Sequence, residues 1–209
     1  MNMTIGAVSF LFIFGLAEAL QRWLRIRQEV TRKVAHTCAG IAVVVLARVL
    51  SAWEIMVLAV VFAAFLALSK AWGLLPSIHA VGRKTWGEVY YPLGIGLTAF
   101  CVLPGGLRAF QFGVLVLALA DSLAGIVGDA VGKHRIALVG NRKSLEGSAA
   151  FFFAAFVTLL AFQGWRGEFV LVSMTVTLFL TLVELFLLAG LDNLLLPVCA
   201  SYLFKALAL

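Results

Sequence analysis

The sequence predicts an all-α, polytopic integral membrane protein: a single transmembrane domain over residues 1–209, with seven or eight transmembrane helices and the N-terminus outside. Three observations predict it. Of 209 residues, 63% are hydrophobic and 12% are charged, about half the roughly 25% charged content of soluble domains. The mean hydropathy is +1.08. So little polar sequence cannot cover a water-soluble core, which excludes a soluble globular domain, a disordered tail and a fibrous protein. Second, apolar runs recur along the whole chain, and a span needs about 20 apolar residues. Third, the basic residues gather in alternate connections.

The runs follow in order. The first, Met3 to Leu20, lacks a positive leading region, so it reads as a span rather than a secretory signal. A basic stretch from Arg22 to Lys33 precedes the second run, Val34 to Leu50. Ser51 and Glu54 break it from the third, Ile55 to Leu68. The longest polar segment is Ser69 to Tyr91, with Lys70, His79, Arg83, Lys84 and Glu88. The fourth run, Tyr91 to Leu103, ends at Pro104-Gly105-Gly106, a turn signal. The fifth, from Arg108 to Val131, turns rich in Gly, Ala and Asp in its second half. A polar loop covers Gly132 to Lys143. The sixth run is Leu145 to Phe162 and the seventh Phe169 to Ala189. The last, Leu194 to Leu209, is short enough to span thinly or to be re-entrant.

Charge orients these runs. With the N-terminus outside, the inner connections hold Arg22, Arg25, Arg27, Arg32 and Lys33, then Lys70, Arg83 and Lys84, then Lys133, Arg135, Arg142 and Lys143. That is twelve of the sixteen Lys and Arg residues, and Lys and Arg are retained on the cytoplasmic side. All three long polar connections then share one face, which predicts a multi-pass protein of a bacterial cytoplasmic or similar inner membrane whose site faces the cytoplasm. The net charge of +6 has the same source, so no nucleic-acid partner is expected. Cys38, Cys101 and Cys199 lie far apart in apolar sequence and read as buried small hydrophobes.

Acidic residues inside apolar runs are costly and mark function. The end of run five places Asp121, Gly125, Gly128 and Gly132 on one helical face, with Asp129 at its edge and Lys133 following. Close helix packing through small residues accounts for the glycines but not for the carboxylates. The same stripe would serve equally between copies, so a homo-oligomer stays open. The Gly128–His134 stretch is not a phosphate loop, because the glycine spacing and the residue after Lys133 are wrong. In Asn141-Arg142-Lys143-Ser144-Leu145-Glu146-Gly147-Ser148, Ser144 is a natural N-cap, and free N–H groups at such a helix start bind phosphate. Glu29, Lys33, His36 and Gly40 share a face entering run two. Glu88 enters run four beside Tyr90 and Tyr91, which read as an interfacial aromatic belt. Glu184 sits inside run seven, before Asp192-Asn193 and Pro197. Carboxylates with Lys, Arg and a helix start are what a Mg²⁺–polyphosphate site requires.

These blocks resemble the CTP-dependent polyprenol kinase family of phytol and dolichol kinases, and more distantly the phosphatidate cytidylyltransferases. The matching stretches are Arg32-Lys33-x-x-His36, Gly87-Glu88-x-x-Tyr91-Pro92, Asp121-Ser122-x-Ala124-x-x-x-Gly128 with Gly132-Lys133-His134, Lys143-Ser144-Leu145-Glu146-Gly147-Ser148, and Glu184 with Asp192-Asn193-x-x-x-Pro197. They cover residues 29 to 197, and Asp129 departs from the family's pattern. The small size looks more like the phytol-kinase branch. The resemblance implies phosphoryl transfer from CTP to a membrane-dissolved isoprenoid alcohol, with Mg²⁺ as cofactor. Asp121 and Glu146 then act as metal or base groups, with Asp129 as a further metal ligand and Lys143 at the reacting phosphate. Lys133, Arg142, Lys143 and the start at Ser144, with Gly128, Gly132 and Gly147, hold the triphosphate. Arg32, Lys33, His36, Glu88, Glu184, Asp192 and Asn193 complete the wall. Two alternatives are a CTP-dependent cytidylyltransferase acting on a lipid phosphate and a small ion-coupled transporter. The transporter predicts polar residues on both halves of the bilayer and an inverted repeat, and no such repeat is visible.

Overall fold

Apolar runs without interior breakers become helices wherever lipid or other helices solvate them, since backbone groups must pair internally there. The computed structural model describes residues 2–79, 86–138, 141–164, 167–187 and 189–207; the side chains of residues 76, 77, 137, 138, 141 and 142 lie outside that description. The helices are α1 (Asn2–Leu24), α2 (Gln28–Leu46), α3 (Ala52–Ala71), the short α4 (Pro76–His79), α5 (Gly87–Val102), α6 (Leu107–Leu115), α7 (Ser122–Val131), α8 (Leu145–Gln163), α9 (Gly167–Phe186) and α10 (Leu191–Ala206). A π-helical segment, Val116–Asp121, joins α6 to α7 into one rod.

Among the described residues, five helices are long and apolar enough to cross a membrane: Asn2–Leu24, Ala52–Ala71, Leu107–Val131, Leu145–Gln163 and Gly167–Phe186. With α2, α5 and α10 they make eight rods among the described residues. At 16 residues each, α5 and α10 are about 24 Å long, short of the roughly 30 Å of hydrocarbon. They compensate by packing, α5 on α3 and α10, and α10 also on α6.

The α6–π–α7 rod is the centre of the bundle. Phe110, Phe112, Val114, Val116, Leu117 and Ala118 are completely buried, and the rod touches α2, α5, α8 and α10. The outside of the bundle is apolar: Phe12, Phe153, Leu171 and Phe179 are all exposed. That is the surface of a protein solvated by lipid rather than water.

Helix starts are set by local chemistry. Ser51 and Glu54 form a reciprocal capping box: the Glu54 N–H donates to Ser51 Oγ at 3.2 Å and the Ser51 N–H to Glu54 Oε2 at 2.8 Å. Ser144 caps α8 as its sequence suggests, accepting from the Gly147 N–H at 3.1 Å. Gly190, at φ 92°, starts α10. A Cβ there would also lie 2.6 Å from Gly87 Cα, so glycine alone lets the start of α10 rest on the start of α5.

Three expectations need correction. The polar loop 132–143 contains a hairpin, β1 (Arg135–Leu138) paired antiparallel with β2 (Asn141–Ser144). Tyr91 is not in an aromatic belt: it is buried, and its hydroxyl donates to the His36 carbonyl at 2.5 Å. The cysteines are not buried hydrophobes either. Cys38 and Cys101 are exposed and Cys199 is half-buried, on outward faces where a small apolar side chain meets lipid equally well. Arg83 and Lys84, used to orient the chain, lie outside the described residues.

Candidate active site

One end of the bundle gathers the polar residues. α3, α7 and α9 finish there, while α2, α5, α8 and α10 begin there. Helix starts and ends thus meet around a cleft of about 120 Å³ that opens to solvent. Its wall includes Arg32 and Lys33, Glu88, Asp121, Lys143 and Ser144, Glu184, and Asp192 and Asn193.

Asp121 is 6% exposed and Lys33 is 5% exposed. Lys33 Nζ lies 2.5 Å from Asp121 Oδ2 and 3.1 Å from the Asp121 carbonyl. A Cβ at Gly125 would stand 2.6 Å from Lys33 Cε, so the second residue of the glycine stripe clears the path of the lysine stem. Farther along, Gly128 and Gly132 face Ser144. The stripe is therefore used within the chain, bringing α7 against α2 and the start of α8.

A second ammonium, Lys143, reaches across from β2. Its Nζ donates to Glu184 Oε1 at 2.6 Å, to the Glu184 carbonyl, and to Asp192 Oδ2 at 3.3 Å. Burial weighs against its charge, but the Glu184 and Asp192 carboxylates outweigh burial and hold its pKa above the ordinary lysine value. Oxygens of Asp121, Glu184 and Asp192 lie within 4.8 Å of one another. Asn193 fixes the start of α10, donating from Nδ2 to the Gly87 carbonyl at 2.9 Å.

Three buried atoms around this trio lack a hydrogen-bond partner: Glu184 Oε2, Asn193 Oδ1 and Ser148 Oγ. Buried polar atoms are rarely left so, and these three belong to residues lining the cleft. Two prolines lie in the helices that start there. Pro92 and Pro197 lie inside α5 and α10, and each lacks the N–H that would pair with the carbonyl four residues back. Those carbonyls belong to Glu88 and Asn193.

Glu88 is held by partners that sequence reasoning had not joined to it. Lys70 Nζ is 2.6 Å from its Oε1 and His79 Nδ1 is 3.3 Å away. His79 Nε2 in turn meets Ser69 Oγ at 2.8 Å. Ser–His–Glu is the linkage of a hydrolytic triad. Here, however, Ser69 is 2% exposed and donates to the Leu66 carbonyl, so the chain of contacts buttresses Glu88. The clue was the polarity of the 69–91 segment. Arg135, on the hairpin, also lines the cleft.

Other expected site residues stand differently. Arg32 lines the cleft but is paired with Glu29 at 2.5 Å. Asp129 lines the cleft outside the carboxylate trio. Glu146 is apart from it: its Oε1 lies 2.8 Å from His134 Nδ1, and it accepts from the His134 N–H at 3.2 Å. Those contacts tie the start of α8 to the hairpin. Lys133 is exposed on the far side of the Gly132 turn, and the Arg142 side chain lies outside the described residues. Gly147 lines the cleft beside its capping partner Ser144.

A second cavity, of about 50 Å³, is apolar. α1, α2, α3 and α5 enclose it, with Phe10, Phe14, Ala39, Phe62 and Ile95 on its walls. Phe62 stacks edge-on against Phe10, with centroids 4.9 Å apart, which seats α1 over the groove. His36 also lies on this groove. The groove and the polar cleft share Ile78 and Glu88.

No family model matches the chain, and no solved structure matches it. Curated relatives do. The chain is 38% identical over 193 residues to the phytol kinase of Synechocystis, covering 87% of this chain and 80% of the relative. It is 40% identical over 84 residues to an uncharacterized protein of Methanocaldococcus jannaschii, about two-fifths of each. At that identity and coverage, the chain belongs to the phytol/polyprenol kinase family.

Proposed function

We propose that the chain phosphorylates a long-chain isoprenoid alcohol, such as phytol or geranylgeraniol, with CTP as donor and Mg²⁺ as cofactor, at the cytoplasmic face of the membrane. The observation that carries this reading is the meeting of two unlike cavities at Ile78 and Glu88. One cavity is polar, open and rich in paired charges. The other is apolar and long. A kinase acting on a membrane-dissolved alcohol needs both, joined at one point.

The donor set suits a hard divalent cation. Asp121, Glu184 and Asp192 converge, two ammonium groups among the described residues serve the three carboxylates, and Glu184 Oε2 is unpartnered. Mg²⁺ is held through one or two carboxylates plus phosphate oxygens, and when bound it would neutralise charge on the polyphosphate. Lys143 and the α8 start at Ser144 would bind phosphate oxygens. In the transfer, the alcohol oxygen forms a bond to the γ-phosphorus, the bond to the β-phosphate oxygen breaks, CDP leaves, and the hydroxyl proton passes to a base in the cleft. Positioning and charge stabilisation supply the catalysis.

The test is direct. Purified protein in nanodiscs receives γ-labelled CTP, Mg²⁺ and geranylgeraniol, with ATP and GTP in parallel. The reading expects label in the prenyl monophosphate and release of CDP. Pyrophosphate release with CMP on the lipid would replace kinase chemistry by cytidylyl transfer, and label that never reaches lipid would overturn the reading.

A further inference from the structure

His36 lies about two turns into α2, some 12 Å from its start, and is 5% exposed. It was first placed with the nucleotide wall because it follows Arg32 and Lys33. The structure puts it elsewhere: it lines the apolar groove and does not line the polar cleft.

Its ring is held firmly. It stacks on Tyr91 with centroids 4.1 Å apart and planes 25° from parallel. The Tyr91 hydroxyl is engaged by the His36 backbone carbonyl, so it does not serve the imidazole. His36 Nδ1 is buried with no hydrogen-bond partner. An oriented imidazole nitrogen left unpaired beside a hydrocarbon surface costs stability. Such an atom marks a place where a ligand supplies the missing group.

The groove specifies that group. Its walls are hydrocarbon apart from His36, Glu88 and Tyr91. Glu88 is taken by Lys70 and His79, and Tyr91 by the His36 carbonyl. An occupant must therefore be apolar along its length and carry one polar group at the end nearest the cleft. In the tautomer that carries its proton on Nε2, Nδ1 accepts a hydrogen bond from a hydroxyl and has no hydrogen to offer a carboxylate or phosphate.

We propose that His36 Nδ1 is the hydrogen-bond acceptor for the hydroxyl of the long-chain alcohol, and that it sets the depth at which the alcohol sits with its oxygen turned toward Glu88 and the polar cleft. The inference rests on the kinase reading for its occupant but is tested without turnover. The hydrogen bond is a binding contact; no proton transfer to His36 is required.

The probes are phytol and the hydrocarbon that lacks only its hydroxyl, titrated against protein in nanodiscs. Wild type should bind phytol about ten-fold more tightly than the hydrocarbon, as one buried hydrogen bond predicts. His36→Phe keeps a ring on Tyr91 and should bind both probes alike, at the hydrocarbon's affinity. His36→Gln, which retains an acceptor, should recover part of the preference. In the kinase assay, His36→Phe should raise the KM for alcohol about ten-fold and leave the KM for CTP unchanged. If His36→Phe weakens both probes equally, the residue only packs the groove. If it raises the KM for CTP instead, it belongs to the nucleotide wall. Either result overturns the proposal. If wild type binds phytol selectively but transfers no phosphate, the kinase reading fails while the binding inference stands.

Discussion

Lys33 clasps Asp121 twice, with Nζ 2.5 Å from the carboxylate and 3.1 Å from the same residue's backbone carbonyl. One ammonium thus fixes both the charge and the main-chain position of the carboxylate on which the proposed metal site depends. The pair also joins the start of α2 to the central rod, so folding and chemistry meet in one contact.

Breaking that pair should cost both. Lys33→Met leaves Asp121 buried and uncompensated, a loss of about 3–5 kcal/mol. We expect a lower thermal midpoint in detergent and loss of phosphorylation. The double variant Lys33→Met with Asp121→Asn should regain much of the stability but none of the activity. Recovery of turnover would show that Asp121 is a structural anion only.

The carboxylates should separate into two classes. Asp121→Asn, Glu184→Gln and Asp192→Asn should each lower turnover at least about 100-fold, the scale of losing one electrostatic contact in a transition state. Each should also weaken binding of Mn²⁺ used as a spectroscopic stand-in for Mg²⁺. Glu146→Gln should bind Mn²⁺ normally, because its carboxylate serves His134. Weakened Mn²⁺ binding in Glu146→Gln would return that residue to the metal site.

The pH behaviour of Lys143 follows from its raised pKa. A lysine favoured in its charged form by the fold contributes stability that is complete below its unfolded pKa, about 10.4. That contribution is lost as pH rises through the higher folded value. The difference in thermal midpoint between wild type and Lys143→Gln should hold steady from pH 7 to about 10 and narrow only beyond. Narrowing near neutrality would show that the ion pairs with Glu184 and Asp192 do not form in solution.

The groove should discriminate by length. Ala39 and Ala59 line it and are buried. Ala39→Phe or Ala59→Phe fills it and should shift preference from geranylgeraniol toward farnesol, read as the ratio of kcat/KM values. Ile55→Ala enlarges the end remote from the cleft and should relax the limit toward longer polyprenols. Unchanged ratios in all three would place the alcohol elsewhere on the protein.

Much of this site was legible because charge in an apolar run is expensive. Asp121, Glu184 and Asp192 stood out for that reason, and Lys143 for its place before a helix cap. What was not legible depends on distant partners. Nothing near Glu146 in sequence marks His134 as its partner, since a hairpin brings them together. Likewise, His36 shares a helix face with Lys33, yet Tyr91, 55 residues away, determines which cavity its ring serves. The helices α5 and α10, at 16 residues each, are too short to be judged by length alone, and the neighbours they pack on lie far away in sequence. The polar segment before α5 announced a functional region but not the Lys70–Glu88–His79 cluster within it.

The π-helical stretch Val116–Asp121 has a mechanical meaning. One extra residue in a turn advances everything after it by about 100° around the axis. The α6 half of the rod is phased to pack on α10, and the α7 half to face α2 and α8. Thr37 Oγ donates to the Ala118 carbonyl at 2.9 Å within the stretch, steadying its loosened ladder. Were the segment to relax to an ordinary helix, Asp121 would swing away from Lys33 and the glycine face would leave Ser144. The wider turn thus sets the angle at which Asp121 meets Lys33 and the glycine face meets Ser144.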